Sequence, residues 1–96
     1  MNPAEISYTE LSQWLHDKKE FAFIDIREEE ERKESHMGGQ WLPLSELGEK
    51  LEDLPKGSIV LYCRSGGRSL MATIKLRELL ARDNIYSLHG GMLAKP

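Results

Sequence analysis

Phe21, Ala22, Phe23, Ile24 and Ile26 form a short apolar run of strand formers with no regular polar alternation. A strand that reads this way is buried on both faces, so its sheet must be covered from both sides. A second run, Ser58-Ile59-Val60-Leu61-Tyr62, is β-branched, apolar and preceded by the turn Pro55-Lys56-Gly57. Helical patterns lie between and beyond these runs, and strands alternate with helices along the whole chain. That order predicts an α/β fold: a central parallel sheet of about five strands, with helices on both faces. At 96 residues, with no repeat or linker-like stretch, the chain reads as one domain over residues 1–96. A domain of this size buries roughly two-thirds of its unfolded surface, enough for one core without staples.

Ser7 and Glu10 have the spacing of a helix capping box. Tyr8, Leu11, Trp14 and Leu15 then recur at helical spacing, predicting a helix to about Lys18 with these four on its apolar stripe. Glu28 to Glu34 reads as a short solvated helix, its charges simply surface. Gln40 to Leu42 reads as a short strand closed by Pro43, and Leu44, Leu47, Leu51 and Leu54 as a small helix. The longest helix follows residue 67, with Ala72, Leu76, Leu79 and Leu80 buried and Lys75, Glu78 and Arg82 wet. Asp83-Asn84 ends it, and Ile85 to Leu88 is the last strand.

The charge balance, 13 basic against 16 acidic residues for a net −3, argues against a nucleic-acid partner. No apolar run approaches the roughly 20 residues that span a membrane. The N-terminus lacks the basic and apolar segments of a signal peptide, so the expectation is a cytoplasmic protein without membrane contact. One cysteine forms no internal disulfide and builds no thiolate zinc site. No phosphate-binding loop, dinucleotide fingerprint or metal-ligand spacing occurs, so neither cofactor nor metal is expected.

The chemistry converges on Cys63-Arg64-Ser65-Gly66-Gly67-Arg68-Ser69. The cysteine stands where the second apolar run ends, shortly before the long helix begins. In open α/β sheets this carboxyl edge is where ligands bind. First-turn amides of the coming helix are unsatisfied and attract anions. Gly66 and Gly67 let the backbone curl so that several amides converge. Arg64 and Arg68 add two positive charges beside the thiol. Together these features depress the pKa of Cys63 and draw an anionic co-substrate toward it. A purely structural cysteine would explain Cys63 but not the arginines and glycines crowded around it.

This loop resembles the active-site loop of the rhodanese sulfurtransferases. Three further segments resemble that family in order: Asp25-Ile26-Arg27-Glu28, Ser35-His36-Met37-Gly38-Gly39 and Leu88-His89-Gly90-Gly91-Met92. Ser35, Gly38 and Lys95 depart from the usual family residues, at framework turns and at the end of the domain. The stretch from Gly38 to Leu47 is similar to rhodanese domains fused behind adenylyltransferases, although no such domain accompanies it in these residues. The resemblance implies a rhodanese-like fold and a persulfide carried on Cys63. It further implies Arg64, Ser65, Gly66, Gly67, Arg68 and Ser69 as the substrate-binding set. The implied partners are a small anionic sulfur donor such as thiosulfate, with cyanide or a thiol as acceptor, or a protein that donates or accepts sulfur.

Two other roles compete for the same residues. A sulfur-relay module would hand its persulfide to a protein partner. A cysteine phosphatase of related fold would need five residues between Cys and Arg, whereas only four, Arg64 to Gly67, separate Cys63 from Arg68. Ser65, Gly66 and Gly67 have almost no side chains, so the approach to Cys63 reads as open, which favours large acceptors. Asp25 and Arg27 read as support: Asp25 caps the turn after its strand, or orients Arg68 or a loop amide. Arg27 is expected to pair with Glu28 at the surface. His36 and His89 are not needed as bases, since an ionised thiol requires no proton acceptor, and His16 reads as a surface residue of the first helix. Trp14 and Trp41 read as packing residues.

Overall fold

Residues 1–96 are described by a computed structural model. Its strands are β1 Glu5–Ile6, β2 Ala22–Asp25, β3 Gln40–Trp41, β4 Ile59–Tyr62 and β5 Ile85–Leu88. Its helices are α1 Tyr8–His16, α2 Glu29–Glu34, α3 Leu44–Leu47 and α4 Gly67–Leu80, with 3₁₀ turns at Leu51–Asp53 and Gly91–Ala94. The five strands form one sheet in the order β1-β5-β4-β2-β3, and every pairing is parallel. The predicted five-stranded parallel α/β architecture is therefore the one observed. No helix is long and apolar enough to cross a membrane.

β4 occupies the centre, and all four of its residues are buried. Successive side chains leave a strand on opposite faces. Ile59 and Leu61 face a cluster that includes Leu47 of α3 and Ala72 and Leu76 of α4. Val60 and Tyr62 face a second cluster with Leu11 of α1, against which Tyr8 and Trp14 pack. Helices thus cover both faces of the sheet. The α1 capping box forms as the spacing predicts, the Ser7 hydroxyl accepting from the Glu10 amide and the Glu10 carboxylate from the Ser7 amide.

Several boundaries differ from the sequence pattern for physical reasons. β1 is only two residues long and edge-paired to β5, too short to carry a periodic signal. α1 stops at His16 and leaves Leu15 exposed, because the stripe of Tyr8, Leu11 and Trp14 already meets the sheet. The leucines after Pro43 make two pieces, α3 and a 3₁₀ turn, with Gly48 ending the first. Leu79 lies on the outer side of α4 and is 59% exposed, whereas Leu76 one turn earlier is buried. β2 ends at Asp25, yet Ile26 remains fully buried.

Candidate active site

Cys63 leaves the carboxyl end of β4, and only 1% of it is exposed. The chain turns through Gly66, whose φ of +99° lies in the left-handed region that glycine enters without strain. A β-carbon at Gly66 would stand 2.9 Å from the Gly90 nitrogen. This turn aims two amide donors at one atom and sets a hydroxyl beside it. The Gly66 amide lies 3.1 Å and the Ser69 amide 3.4 Å from Cys63 Sγ, with the Ser69 hydroxyl at 3.5 Å. Ser69 is the third residue of α4, so its amide is one of the unpaired first-turn donors at the positive end of the helix dipole.

The environment of the thiol contains opposed effects. Burial alone would raise its pKa. The Ser69 hydroxyl, the Ser69 and Gly66 amides and the Arg68 charge outweigh burial, and the net direction is down. Behind the loop, Ser69 Oγ is 2.7 Å from Ser87 Oγ on β5 and 3.3 Å from the Gly66 carbonyl. The 3₁₀ turn Gly91–Ala94 supports the loop from below. The Met92 amide donates to the Cys63 carbonyl at 2.9 Å, and the Leu93 amide to the Arg64 carbonyl at 3.1 Å.

The two loop arginines differ from each other. Arg68 turns to Glu31 of α2 and donates through both terminal nitrogens, each at 2.8 Å from a carboxylate oxygen. Those hydrogen bonds hold the Glu31 carboxyl down to about 2 and push the Arg68 guanidinium up. The acidic helix is therefore not surface charge alone, since one of its carboxylates is engaged with the cysteine loop. Arg64 is exposed and forms no ion pair. It borders a cleft of about 330 Å³ together with Arg27, Glu31, Glu34 and Met92. With Cys63 nearly inaccessible at the loop floor, the approach is narrower than three small side chains imply.

Asp25 and Arg27 form a buried pair beneath this cleft. Arg27 donates from Nε to Oδ1 at 2.9 Å and from Nη2 to Oδ2 at 3.0 Å, and its amide caps the same carboxylate at 3.0 Å. The expected surface pair of Arg27 with Glu28 is overturned, because Arg27 is 4% exposed and its guanidinium also reaches the Ser35 carbonyl at 2.6 Å. Burial raises the Asp25 pKa, but the Arg27 hydrogen bonds and charge outweigh it and the net direction is down. Asp25 bonds to Arg27 and Arg32, not to Arg68 or to a loop amide. Arg32, which local pattern does not single out, also ties the Gly38 and Gly39 carbonyls at 3.2 and 3.0 Å. The Tyr62 hydroxyl donates to the Gly38 carbonyl at 2.9 Å. Trp41 donates its indole N–H to the Arg27 carbonyl at 2.8 Å. His89 lies against Glu5 at the surface, 2.9 Å away.

A family model described as the rhodanese-like domain matches residues 7–94. A probable adenylyltransferase/sulfurtransferase, MoeZ, of Mycobacterium tuberculosis is 36% identical over 93 residues. That match takes in 93% of this chain but 24% of the relative, so the chain spans about a quarter of its length. A sulfurtransferase of Allochromatium vinosum is 32% identical over 92 residues, covering 94% of this chain and 85% of that protein. Among solved structures, the human single-domain sulfurtransferase TSTD1 superposes with a TM-score of 0.80 at 25% identity, over 97% of each chain.

Proposed function

The chain belongs to the rhodanese-like domain family, and on that premise we propose that it is a sulfurtransferase with Cys63 as nucleophile. The observation that carries this reading is the convergence of the Gly66 amide, the Ser69 amide and the Ser69 hydroxyl on Cys63 Sγ. Those donors stabilise an anionic sulfur, first the thiolate and then the persulfide that replaces it. With thiosulfate as donor, the Cys63 thiolate attacks the outer sulfur. The donor S–S bond breaks, and its electron pair departs with sulfite. Cyanide or an acceptor thiolate then attacks the terminal sulfur of the Cys63 persulfide. The new S–S bond breaks in turn and returns the thiolate. Arg64, Ser65, Gly66, Gly67, Arg68 and Ser69 form the surrounding loop, and Asp25 with Arg27 hold the strand end beside it. No cofactor enters either step.

A relay of sulfur to or from a protein partner uses the same two steps. The mycobacterial relative joins an adenylyltransferase to a sulfurtransferase by name, which supports a protein acceptor here. A phosphatase fits less well, because Arg68, the last residue of the short loop, is already bound to Glu31. Intact mass after incubation with thiosulfate tests the assignment. One added sulfur, released by cyanide and absent in Cys63→Ser, is the expected result. A folded Cys63→Ser variant with turnover within a few-fold of the parent overturns it.

A further inference from the structure

Among the arginines of the Cys63 loop and of the cleft beside it, all but Arg64 are matched by a carboxylate. Arg27 is committed to Asp25 and Arg68 to Glu31. Arg64 remains, with Glu34 bordering the same cleft. The mouth is therefore close to neutral, where an arginine-rich loop alone would predict a site attractive to anions.

Glu31 is not a mobile surface carboxylate. It is the third residue of α2, and its Oε1 also accepts from the Glu28 amide at 3.1 Å, as half of the capping box of that helix. The helix start thus sets the position of the carboxylate before Arg68 meets it. Arg68 and Glu31 retain 39% and 29% of their side-chain exposure, so the pair is reachable from solvent, and the Arg68 charge acts on the Cys63 thiol. A doubly charged donor that seeks Arg68 must displace Glu31, leaving its carboxylate unpaired beside the donor. Like charges in that position repel.

We propose that Glu31 selects the sulfur donor: by holding Arg68 bidentately at the mouth of the Cys63 loop, it disfavours small dianions such as thiosulfate and favours the persulfide of a thiol. In the favoured reaction the Cys63 thiolate attacks the outer sulfur of R–S–S–H. The donor S–S bond breaks, its electron pair leaves on R–S⁻, and the proton stays with the new Cys63 persulfide. Glu31 is a positioning residue in this scheme, since it acts through Arg68. The choice of donors rests on the sulfurtransferase reading, but the charge state of the mouth does not.

The test compares alkylation of Cys63, the one cysteine, by anionic iodoacetate and neutral iodoacetamide. The rate ratio cancels changes in thiol acidity and reports the potential at the mouth. Glu31→Gln is expected to raise the iodoacetate-to-iodoacetamide ratio roughly three- to tenfold at low salt, with the gain shrinking at high salt. The KM for thiosulfate should fall by a similar factor, with a smaller change in kcat, while Glu31→Asp stays near the parent on both readouts. A merely structural ion pair predicts the opposite sign, a loss with both reagents and a higher KM. A ratio in Glu31→Gln that is unchanged or lower overturns the inference. So does a strong, salt-sensitive preference for iodoacetate in the parent, a measurement that needs no variant to fold. Failure of every donor to load the parent, with the alkylation ratio behaving as expected, overturns the sulfurtransferase reading and the donor choice but leaves the role of Glu31 at the mouth.

Discussion

The Ser69 hydroxyl lies 2.7 Å from the Ser87 hydroxyl, and neither residue is exposed. Ser87 Oγ has no other hydrogen-bond partner in the fold, whereas Ser69 Oγ also faces Cys63 Sγ and the Gly66 carbonyl. Each hydroxyl has one proton to donate. When Ser87 gives its proton to Ser69, the Ser69 proton is shared between the Gly66 carbonyl and the cysteine sulfur, and an ionised sulfur is the stronger acceptor. β5 thereby contributes to the acidity of a thiol held on the β4–α4 loop.

Ser69→Ala removes a donor to the thiolate, so the Cys63 pKa should rise and iodoacetamide should react more slowly near neutral pH. A hydrogen bond to a charged group is worth about 1.5–3 kcal/mol, which sets the upper limit of the effect. The same substitution orphans the buried Ser87 hydroxyl, at a cost of about 1–3 kcal/mol in stability. The double variant Ser69→Ala/Ser87→Ala removes both partners, so it should recover stability without recovering acidity. Urea unfolding and the pH profile of alkylation separate the two effects. A double variant less stable than Ser69→Ala refutes the pairing argument.

Asp25 is the deepest carboxylate in the fold, and Arg27 is its chief partner. Removing one member of a buried pair leaves the other charge uncompensated and costs about 3–5 kcal/mol. Asp25→Ala should therefore lower the urea midpoint far more than Glu29→Ala, whose partner Lys33 is exposed. Acid has a related effect. The folded-state pKa values of Asp25 and Glu31 are both depressed. Their stabilisation is complete above their ordinary range and is lost as pH falls. For Glu31 that window runs from 4.5 down to about 2. A parent midpoint that stays constant across it contradicts both ion pairs.

Arg64 is the one guanidinium at the cleft without a carboxylate partner, and it is exposed. An exposed charge at this range is screened by water and salt, and such contacts are worth about 1 kcal/mol or less. Arg64→Ala should raise the KM for thiosulfate by roughly fivefold or less at low salt, with little effect at high salt. A loss of kcat independent of salt would instead place Arg64 on the reacting atoms.

The sheet was legible because its cues are local. β4 and β5 are short apolar runs between turns, and the α1 capping box needs only Ser7 and Glu10. The cysteine loop was legible for the same reason, since a strand end, two glycines and a helix start are consecutive. What escaped were partners distant in sequence. Glu31 and Arg68 are 37 residues apart, and Ser69 and Ser87 are 18 apart. No periodicity links them until α2, β5 and the loop meet at one edge of the sheet. Arg27 departs from its local pattern for a related reason. Its neighbour Glu28 is a ready surface partner, and only the fold reveals that the side chain turns inward to Asp25.

The glycines around the loop separate backbone necessity from mere tolerance. Gly91 has a φ of +52°, and a β-carbon there would collide with the Cys63 carbonyl oxygen and press on the Arg64 carbonyl. Both of those carbonyls accept amides from the 3₁₀ turn that Gly91 begins. Gly91→Ala must therefore bend the turn away or push the Cys63–Arg64 backbone, and either response disturbs the donors around Sγ. Strain of this kind costs about 1–3 kcal/mol, so the urea midpoint should fall. Cys63 should also alkylate more slowly near neutral pH as its amide donors move. Gly67 is the contrast. It starts α4 without a positive φ, and a β-carbon there meets nothing within 4 Å. Gly67→Ala keeps the amide and restricts the unfolded chain, so it should stabilise by about 0.4–1 kcal/mol. Its alkylation profile should match the parent. Parent-like stability and thiol reactivity in Gly91→Ala would mean that the Gly91–Ala94 turn does not support the cysteine loop.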